Sequence, residues 1–327
     1  MNNYYLQIGK TWHKVAFFIS AFAGYMVPRG WYRSKLFWMF TSLSYEERKM
    51  VRMRTSYYIK CKDVFLRKYD TSVGTFKFPF RQKHKFSTYF FDLYNSIRYF
   101  PSRLRFNYLF GDVTYEPIVP TIVKSRPIKN GDSNSVIMKL NRVRHFRIVH
   151  DDVQFRQKKN MLVFRNIVRQ PQRINFLEQY FAHPLCNAGK INKDGGHQEW
   201  IKEYMTIQEQ LQYKFIACIE GNDVATNLKW VMASNSLAVM PKPKFESWFM
   251  EGKLQAGVHY VEVKEDYSDL QEKLEYYINN PDEAETIIRQ AHQYLKMFLD
   301  ERMERLIQLN VLYEYFHLTG QIEKKLL

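Results

Sequence analysis

Cysteine is scarce in this sequence, whose 327 residues include only Cys61, Cys186 and Cys218. The three stand far apart, and no two of them form a CxxC pair. This usage excludes a disulfide-stapled miniprotein and a zinc finger, and it indicates a reducing compartment. With 46% hydrophobic and 25% charged residues, the chain is also neither disordered nor collagenous. Its length allows one large domain or two of ordinary size.

The sequence also lacks an uncharged apolar run that could span a bilayer. The best candidate, Val15 to Pro28, has 14 residues, whereas a spanning helix needs about 20. Lysines and arginines flank it on both sides. Three interpretations of the run stay open: a buried helix, a helix that lies on an anionic membrane surface, and a signal peptide with a poor cleavage site.

Acidic residues are rare in the first half of the chain. Residues 1–160 carry 30 Lys and Arg against 10 Asp and Glu, a net charge of +20, whereas residues 161–327 have a net charge of −4. A basic half indicates an anionic partner, which leaves phosphate-bearing lipid, acidic glycan and nucleic acid as candidates. The 25 Phe, 23 Tyr and 6 Trp keep single-strand nucleic-acid binding among them, because such proteins combine cations with stacking aromatics.

Several catalytic and nucleotide-binding motifs are absent. The sequence contains no GxGxxG, Walker loop, HExxH or GxSxG. It has no Asp-x-Asp, which disfavours a metal-dependent sugar-nucleotide enzyme. No nucleic-acid recognition motif is present either, and we therefore expect no nucleic-acid partner.

Short apolar runs alternate with helical segments after residue 160. We predict four strands, at Met161–Phe164, Tyr213–Ile219, Leu237–Met240 and Tyr260–Val263, with helices that include Val224–Ala233 and Trp248–Leu254. This alternation predicts an α/β fold with a doubly wound sheet, with the domain boundary in residues 151–160. Ligands bind at the carboxyl ends of such strands. We therefore expect the segments 165–173, 220–229 and 241–251 to meet there.

Arginines dominate the first of these segments. Arg165, Arg169 and Arg173 follow a predicted strand, and guanidinium groups at the start of a helix suit a diphosphate. A solvated charge run is the alternative interpretation.

The second and third segments add polar side chains. Glu220–Asp223 is a glycine turn that opens a helix, and Asn227 and Lys229 follow it; we predict that Lys229 neutralises a phosphate and that Asn227 binds a sugar hydroxyl. Glu246 and Glu251 either hold a ribose diol or cap a helix.

One acid stands out in the basic half. Asp112 lies in the run Phe110–Val113, with Lys124 and Arg126 not far along the chain. A carboxylate kept ionised by nearby cations could serve as a general base, while a simple turn residue is the alternative.

Four runs resemble glycosyltransferase family ninety. They are Glu220–Ser236, Met240–Gly252, Phe110–Val113 and Val123–Ile128. The likeness extends from about residue 89 to about residue 298 and is greatest to the bacterial lipopolysaccharide members.

The resemblance implies a GT-B architecture, with two Rossmann-like domains that face a cleft and final helices that cross back to the first domain. Residues 1–155 would bind an anionic glycolipid or glycan acceptor, with Lys124 and Arg126 as contacts. Residues 156–327 would bind a nucleotide sugar, usually a uridine diphosphate sugar. The expected contacts of this donor are Arg165, Arg169, Gly221, Asn222, Asp223, Asn227, Lys229, Glu246 and Glu251.

The resemblance further implies an inverting transfer of a hexose or pentose, with no cofactor and no metal, in which Asp112 is the base. Asn227 departs from an arginine of the eukaryotic members, which leaves the phosphate ligand at that position open. We expect a cytoplasmic enzyme, peripheral on the inner membrane. A basic nucleic-acid-binding protein and a non-catalytic membrane scaffold are the alternatives.

Overall fold

The structure is a computed structural model that describes residues 2–62, 69, 71–78 and 86–323. The chain forms two compact units. The first comprises Met1–Arg144, Phe245–Met250 and Phe298–Leu327, and the second comprises His145–Lys244 and Glu251–Met297. Each unit is therefore built from segments that lie far apart in the sequence.

Helices occur in both units. They are α1 (Asn2–Met26), α2 (Arg29–Thr41), α3 (Tyr45–Tyr58), α4 (Ser87–Ile97), α5 (Arg142–His145), α6 (Pro171–Tyr180), α7 (Ile207–Gln210), α8 (Leu228–Val231), α9 (Leu270–Asn279), α10 (Pro281–Leu295) and α11 (Glu301–Leu318). Short 3-10 turns cover Phe155–Gln157, Gln198–Trp200, Glu251–Lys253 and Lys296–Phe298.

The strands are mostly short. They are β1 (Thr71–Ser72), β2 (Arg105–Phe106), β3 (Thr121–Val123), β4 (Ser125–Pro127), β5 (Ser135–Ile137), β6 (Lys159–Asn166), β7 (Cys186–Lys190), β8 (Tyr213–Ala217), β9 (Leu237–Met240), β10 (Phe245–Ser247) and β11 (Val261–Glu262). In the first unit β1 pairs with β2 and β4 with β10, both antiparallel, and β3 pairs with β5 in parallel.

A buried carboxylate joins the distant segments of the first unit. Glu304 on α11 accepts hydrogen bonds from Arg54 on α3, from Lys139 and from the indole of Trp248, at 2.7 Å from the indole nitrogen. The Trp248 ring stacks on Tyr58 with centroids 3.9 Å apart. Because a buried charge requires paired partners, this network explains why α11 and residues 245–250 fold with the N-terminal helices.

The second unit contains a five-stranded parallel sheet in the order β11-β9-β8-β6-β7. It confirms the predicted α/β class, and four of its strands lie where the apolar runs predicted them. The fifth, β7, was not predicted. Its sequence, Cys-Asn-Ala-Gly-Lys, has none of the β-branched or aromatic residues typical of strands, and pairing with β6 makes it a strand.

Two predicted helices differ from the structure. The helix expected over Val224–Ala233 is reduced to the single turn of α8. The helix expected over Trp248–Leu254 is wrong: the chain leaves β10 in a turn at residues 248–249, and Glu251–Lys253 form a 3-10 turn. In both places contacts from distant residues outweigh the local helical pattern.

The N-terminal predictions agree more closely. The Ser44 hydroxyl accepts a hydrogen bond from the Glu47 backbone, and the Glu47 carboxylate accepts one from Ser44, so the predicted capping box begins α3. The uncharged run 15–28 belongs mainly to α1, where Phe17 and Ala21 are buried. No helix in the described part of the chain combines the length and apolar character that crossing a bilayer requires.

Candidate active site

Arg165 lies near the carboxyl end of β6 and is half-buried. Its guanidinium donates to the carbonyls of Phe164 (2.9 Å), Asn187 (3.0 Å) and Glu203 (3.2 Å), and to the Asn187 side chain (2.7 Å). Burial lowers the pKa of this guanidinium below its usual range. Within the described residues these contacts occupy four of its five N–H donors, so Arg165 mainly joins β6 to its neighbours.

Arg169 is more accessible, with its side chain 59% exposed. It pairs with Asp194, whose pKa is lowered by hydrogen bonds from Asn192 and from Arg169. The buried Lys190 at the end of β7 donates to the carbonyls of Asp194 and Gly196 and so holds this loop in place. Arg169 therefore presents a cation at the sheet edge.

Arg173, at the start of α6, joins the loops that follow β6 and β8. It donates to the carbonyls of Ile167 (2.8 Å), Ile219 (2.9 Å) and Glu220 (3.1 Å). A side chain on Gly221 would bring its Cβ within 3.2 Å of the Arg173 guanidinium, which is tighter than ordinary packing. The absence of a side chain at Gly221 is thus what allows this close packing.

The three predicted segments meet at this edge of the sheet. The Gln170 amide donates to the Asn222 side chain at 3.0 Å. The backbone N–H of Lys244 donates to the Glu220 carboxylate at 3.2 Å. The loops after β6, β8 and β9 therefore contact one another, as the position of ligand sites in α/β sheets predicts.

Other predicted donor contacts lie inside the second unit. Asp223 is buried, and the Asn227 amide donates to the Ala217 carbonyl at 2.9 Å. Lys229 and Glu251 form a salt bridge with side chains that are 0% and 2% exposed. This burial indicates a structural role for the Lys229–Glu251 pair.

Glu246 belongs to the first unit. It lies opposite Arg126 in the β10–β4 ladder, and the two side chains pair at 2.8 Å with each 1% exposed. The Tyr57 hydroxyl also donates to Glu246, while Arg126 donates to the carbonyls of Tyr57 and Ser135. Glu246 and Arg126, predicted to bind donor and acceptor respectively, thus contact each other in a buried position.

Asp112 lies on the surface of the first unit, in the loop that precedes β3. Its carboxylate pairs with Lys124 at 2.7 Å, and the side chains are 36% and 3% exposed respectively. Gly111 before it has φ +108°, a conformation that favours glycine, and a Cβ there would lie 3.4 Å from the Phe86 ring. A buried cation and a tight turn therefore hold an accessible carboxylate in a defined position.

An aromatic cavity of about 200 Å³ opens near this loop. It is lined by Thr71, Thr75, Phe76, Lys77, Phe78, Phe86, Phe90, Tyr108 and Phe110. Two of these residues adjoin Asp112: Phe110 is two positions away in sequence, and Phe86 faces Gly111. Among the described residues, no three His, Cys, Asp or Glu side chains cluster as a metal site requires.

Sequence reasoning named none of Gln170, Glu220 and Asp194 as site residues. Arg173 was included in the arginine segment, but its function in joining two loops was not foreseen. Glu220 stands directly before the glycine turn, which is a usable signal. Asp194 follows a strand that lacks a strand-like sequence, so it had no such signal.

A five-stranded parallel sheet with three polar loops in contact at its carboxyl edge defines an α/β protein of the class that binds ligands at that edge. The sequence profile of glycosyl transferase family 90 matches residues 137–321. The chain is also 41% identical over 312 residues to the O-glucosyltransferase LpsA of Dichelobacter nodosus. The matched residues cover 94% of this chain and 97% of that protein. This chain therefore belongs to glycosyl transferase family 90 and is a glycosyltransferase.

A more distant match concerns viral proteins. A stretch of 102 residues is 30% identical to the uncharacterized protein 179R of Invertebrate iridescent virus 6, covering 29% of this chain and 8% of that protein. A similar stretch of 99 residues is 32% identical to the uncharacterized protein 035R of Invertebrate iridescent virus 3.

Proposed function

We propose that this glycosyltransferase moves a hexose or pentose from a uridine diphosphate sugar to a hydroxyl of a lipopolysaccharide core or related surface glycan. The proposed donor is supported chiefly by one observation: three polar loops contact one another at the carboxyl edge of the parallel sheet. The name of the 41% identical relative, an O-glucosyltransferase, supports glucose as the first sugar to test.

Arg169 is the residue we propose to bind the diphosphate directly. Its present partner, Asp194, is itself 56% exposed, so a diphosphate can take its place at little cost in burial. Hydrogen bonds between a guanidinium and a phosphate are charge-assisted and frequently bidentate. We propose that the loop at Gly221 and Asn222 contributes polar groups next to it, and that Arg165 positions the strand end.

Asp112 is the proposed general base. It would accept the proton of the acceptor hydroxyl as that oxygen attacks the anomeric carbon and the bond to the diphosphate breaks. This displacement inverts the configuration, and general-base catalysis contributes about 10²–10⁴ in rate. The proposal rests on the accessible, ion-paired carboxylate and on the aromatic cavity beside it, since aromatic rings can pack against an acceptor sugar.

We propose that cations of the protein, rather than a metal ion, stabilise the leaving diphosphate. The guanidinium of Arg169 lies at the sheet edge, and a fixed positive charge there stabilises the negative charge that develops in the transition state. The proposed place of action is the cytoplasmic face of the inner membrane, supported by the net charge of +20 over residues 1–160.

Thermal unfolding in the presence of uridine diphosphate and a panel of its sugars tests the donor. We expect uridine diphosphate to raise the melting temperature and one sugar to be hydrolysed or transferred. Adenosine diphosphate serves as the control for non-specific anion binding. An identical response to both diphosphates, or none to either, would contradict the proposed donor.

A further inference from the structure

Helices α1 and α2 carry an exposed apolar surface. On α1, Val15, Ile19 and Met26 recur at helical spacing, and Ile19 and Met26 are 64% and 79% exposed. On α2, Trp31, Phe37 and Trp38 are 54%, 70% and 75% exposed. Exposed apolar groups are ordinary when scattered, but several large ones close together along a helix, as on α2, mark a candidate interaction site.

The opposite sides of the same helices are packed against the rest of the unit. Phe17 and Ala21 on α1 and Tyr32 and Phe40 on α2 are buried. The Arg98 guanidinium lies 3.8 Å from the centroid of the Tyr32 ring and donates to the Gly24 carbonyl of α1. The inner faces therefore already serve the core, and the exposed residues are not needed to complete it.

The charge of α1 and α2 indicates which kind of partner this surface binds. The first acidic residue of the chain is Glu46, whereas the preceding 45 residues contain five lysines and arginines. On α2 the ammonium of Lys35 lies 3.2 Å from the centroid of the Trp31 ring. Trp31, Lys35 and Trp38 share one helix face by their spacing. The surface thus combines cations with tryptophans and lacks acids, which complements an anionic partner.

The aliphatic side chains distinguish a bilayer from a nucleic acid. A surface that binds single-stranded nucleic acid needs aromatic rings on which the bases stack. The aliphatic side chains of Ile19 and Met26 provide no such ring. Tryptophan is enriched at the level of lipid headgroups, and lysine stems cover apolar surface while their charges stay in water. An amphipathic surface of this composition is typical of proteins that lie on membranes.

We propose that the chain docks on an anionic phospholipid bilayer through a membrane face, defined as Ile19, Met26, Trp31, Lys35, Phe37 and Trp38. The proposal goes beyond the sequence-based suggestion for residues 15–28, because it places the principal contacts on α2. It rests on the proposed function, which already places the enzyme at a membrane, and adds the residues that make the contact and the lipid charge that they require.

Flotation with vesicles tests the docking. The full chain is mixed with vesicles of phosphatidylcholine alone or with added phosphatidylglycerol. We expect binding to the anionic vesicles only, and we expect about a fivefold weaker partition for Lys35→Gln, because each cation near such a surface contributes about 1 kcal/mol. Trp31→Ser with Phe37→Ser and Trp38→Ser should remove binding to the anionic vesicles.

A matched control uses exposed apolar residues elsewhere in the same unit. Tyr115 and Ile118 are 59% and 94% exposed and lie outside the membrane face, so Tyr115→Ser with Ile118→Ser should float like the wild type. Stabilisation by uridine diphosphate should be unchanged in every variant, which separates this test from that of the proposed function.

Two results would overturn the membrane face. One is equal flotation of the wild type and the triple serine variant. The other is a wild type that ignores anionic vesicles yet forms dimers that the triple serine variant does not, since the surface would then bind a second copy of the chain.

Discussion

Replacing Lys229 by Met should strongly destabilise the second unit. The Lys229–Glu251 pair is 0% and 2% exposed, so the substitution leaves a carboxylate in a place from which water is excluded. From the sequence we predicted that Lys229 neutralises a phosphate, whereas its burial against Glu251 favours a structural role. The substitution distinguishes these two roles.

The expected size follows from burial. Removing one member of a buried ion pair costs about 3–5 kcal/mol, because the other charge stays desolvated. For a domain of this size, 1 kcal/mol corresponds to about 2–4 °C in melting temperature, so we expect a loss of about 6–20 °C. Adding Glu251→Gln to Lys229→Met should recover part of the loss.

The same unit contains a control pair of the same chemistry. Lys244 and Glu265 are joined at 2.8 Å, but their side chains are 61% and 68% exposed. Exposed pairs contribute about 0–1 kcal/mol, so Lys244→Met should shift the melting temperature by a few degrees at most.

Thermal unfolding with and without uridine diphosphate provides the measurement. Destabilisation of the free enzyme by Lys229→Met supports the structural role. An unchanged melting temperature of the free protein, combined with a loss of stabilisation by uridine diphosphate, would refute it and restore Lys229 as a phosphate ligand.

Three further predictions concern catalysis, binding and pH. Asp112→Asn should lower the rate of sugar transfer by a factor of about 10²–10⁴ and leave uridine diphosphate binding intact. The control variant Asp132→Asn, at an exposed carboxylate, should transfer sugar at the wild-type rate. Equal rates for Asp112→Asn and the wild type would remove Asp112 from the mechanism. Arg169→Met should weaken uridine diphosphate binding, measured by calorimetry, by about tenfold to a hundredfold. The control variant Arg289→Met, at an exposed arginine, should bind like the wild type. Wild-type affinity in both variants would exclude Arg169 as a ligand. Burial raises the pKa of Asp92 to about 7. The folded state therefore holds a proton that the unfolded state releases, and stability falls as the pH rises from about 4 to about 7. The melting temperature of Asp92→Asn, relative to that of the wild type, should therefore rise as the pH increases from about 4 to about 7. A difference in melting temperature that does not change with pH would contradict the raised pKa of Asp92.

The sequence by itself determined the features that depend on local pattern. Apolar runs located β6, β8, β9 and β11, because a strand in a parallel sheet is buried on both faces and reads as continuous apolar sequence. The Ser44–Glu47 capping box was readable because its two hydrogen bonds join residues three positions apart. The meeting of three polar loops followed from the rule that parallel strands end at one edge.

Only the tertiary structure decided which charges are buried. Arg126 and Glu246 are 120 positions apart in sequence and share one buried pair. Trp248 likewise belongs to the first unit, where its indole donates a hydrogen bond to the buried carboxylate of Glu304. The strand β7 likewise exists because β6 offers it hydrogen bonds, not because its own residues favour a strand. Periodicity reports the neighbours of a residue along the chain, whereas the energy of a buried charge depends on partners that the fold brings from far away.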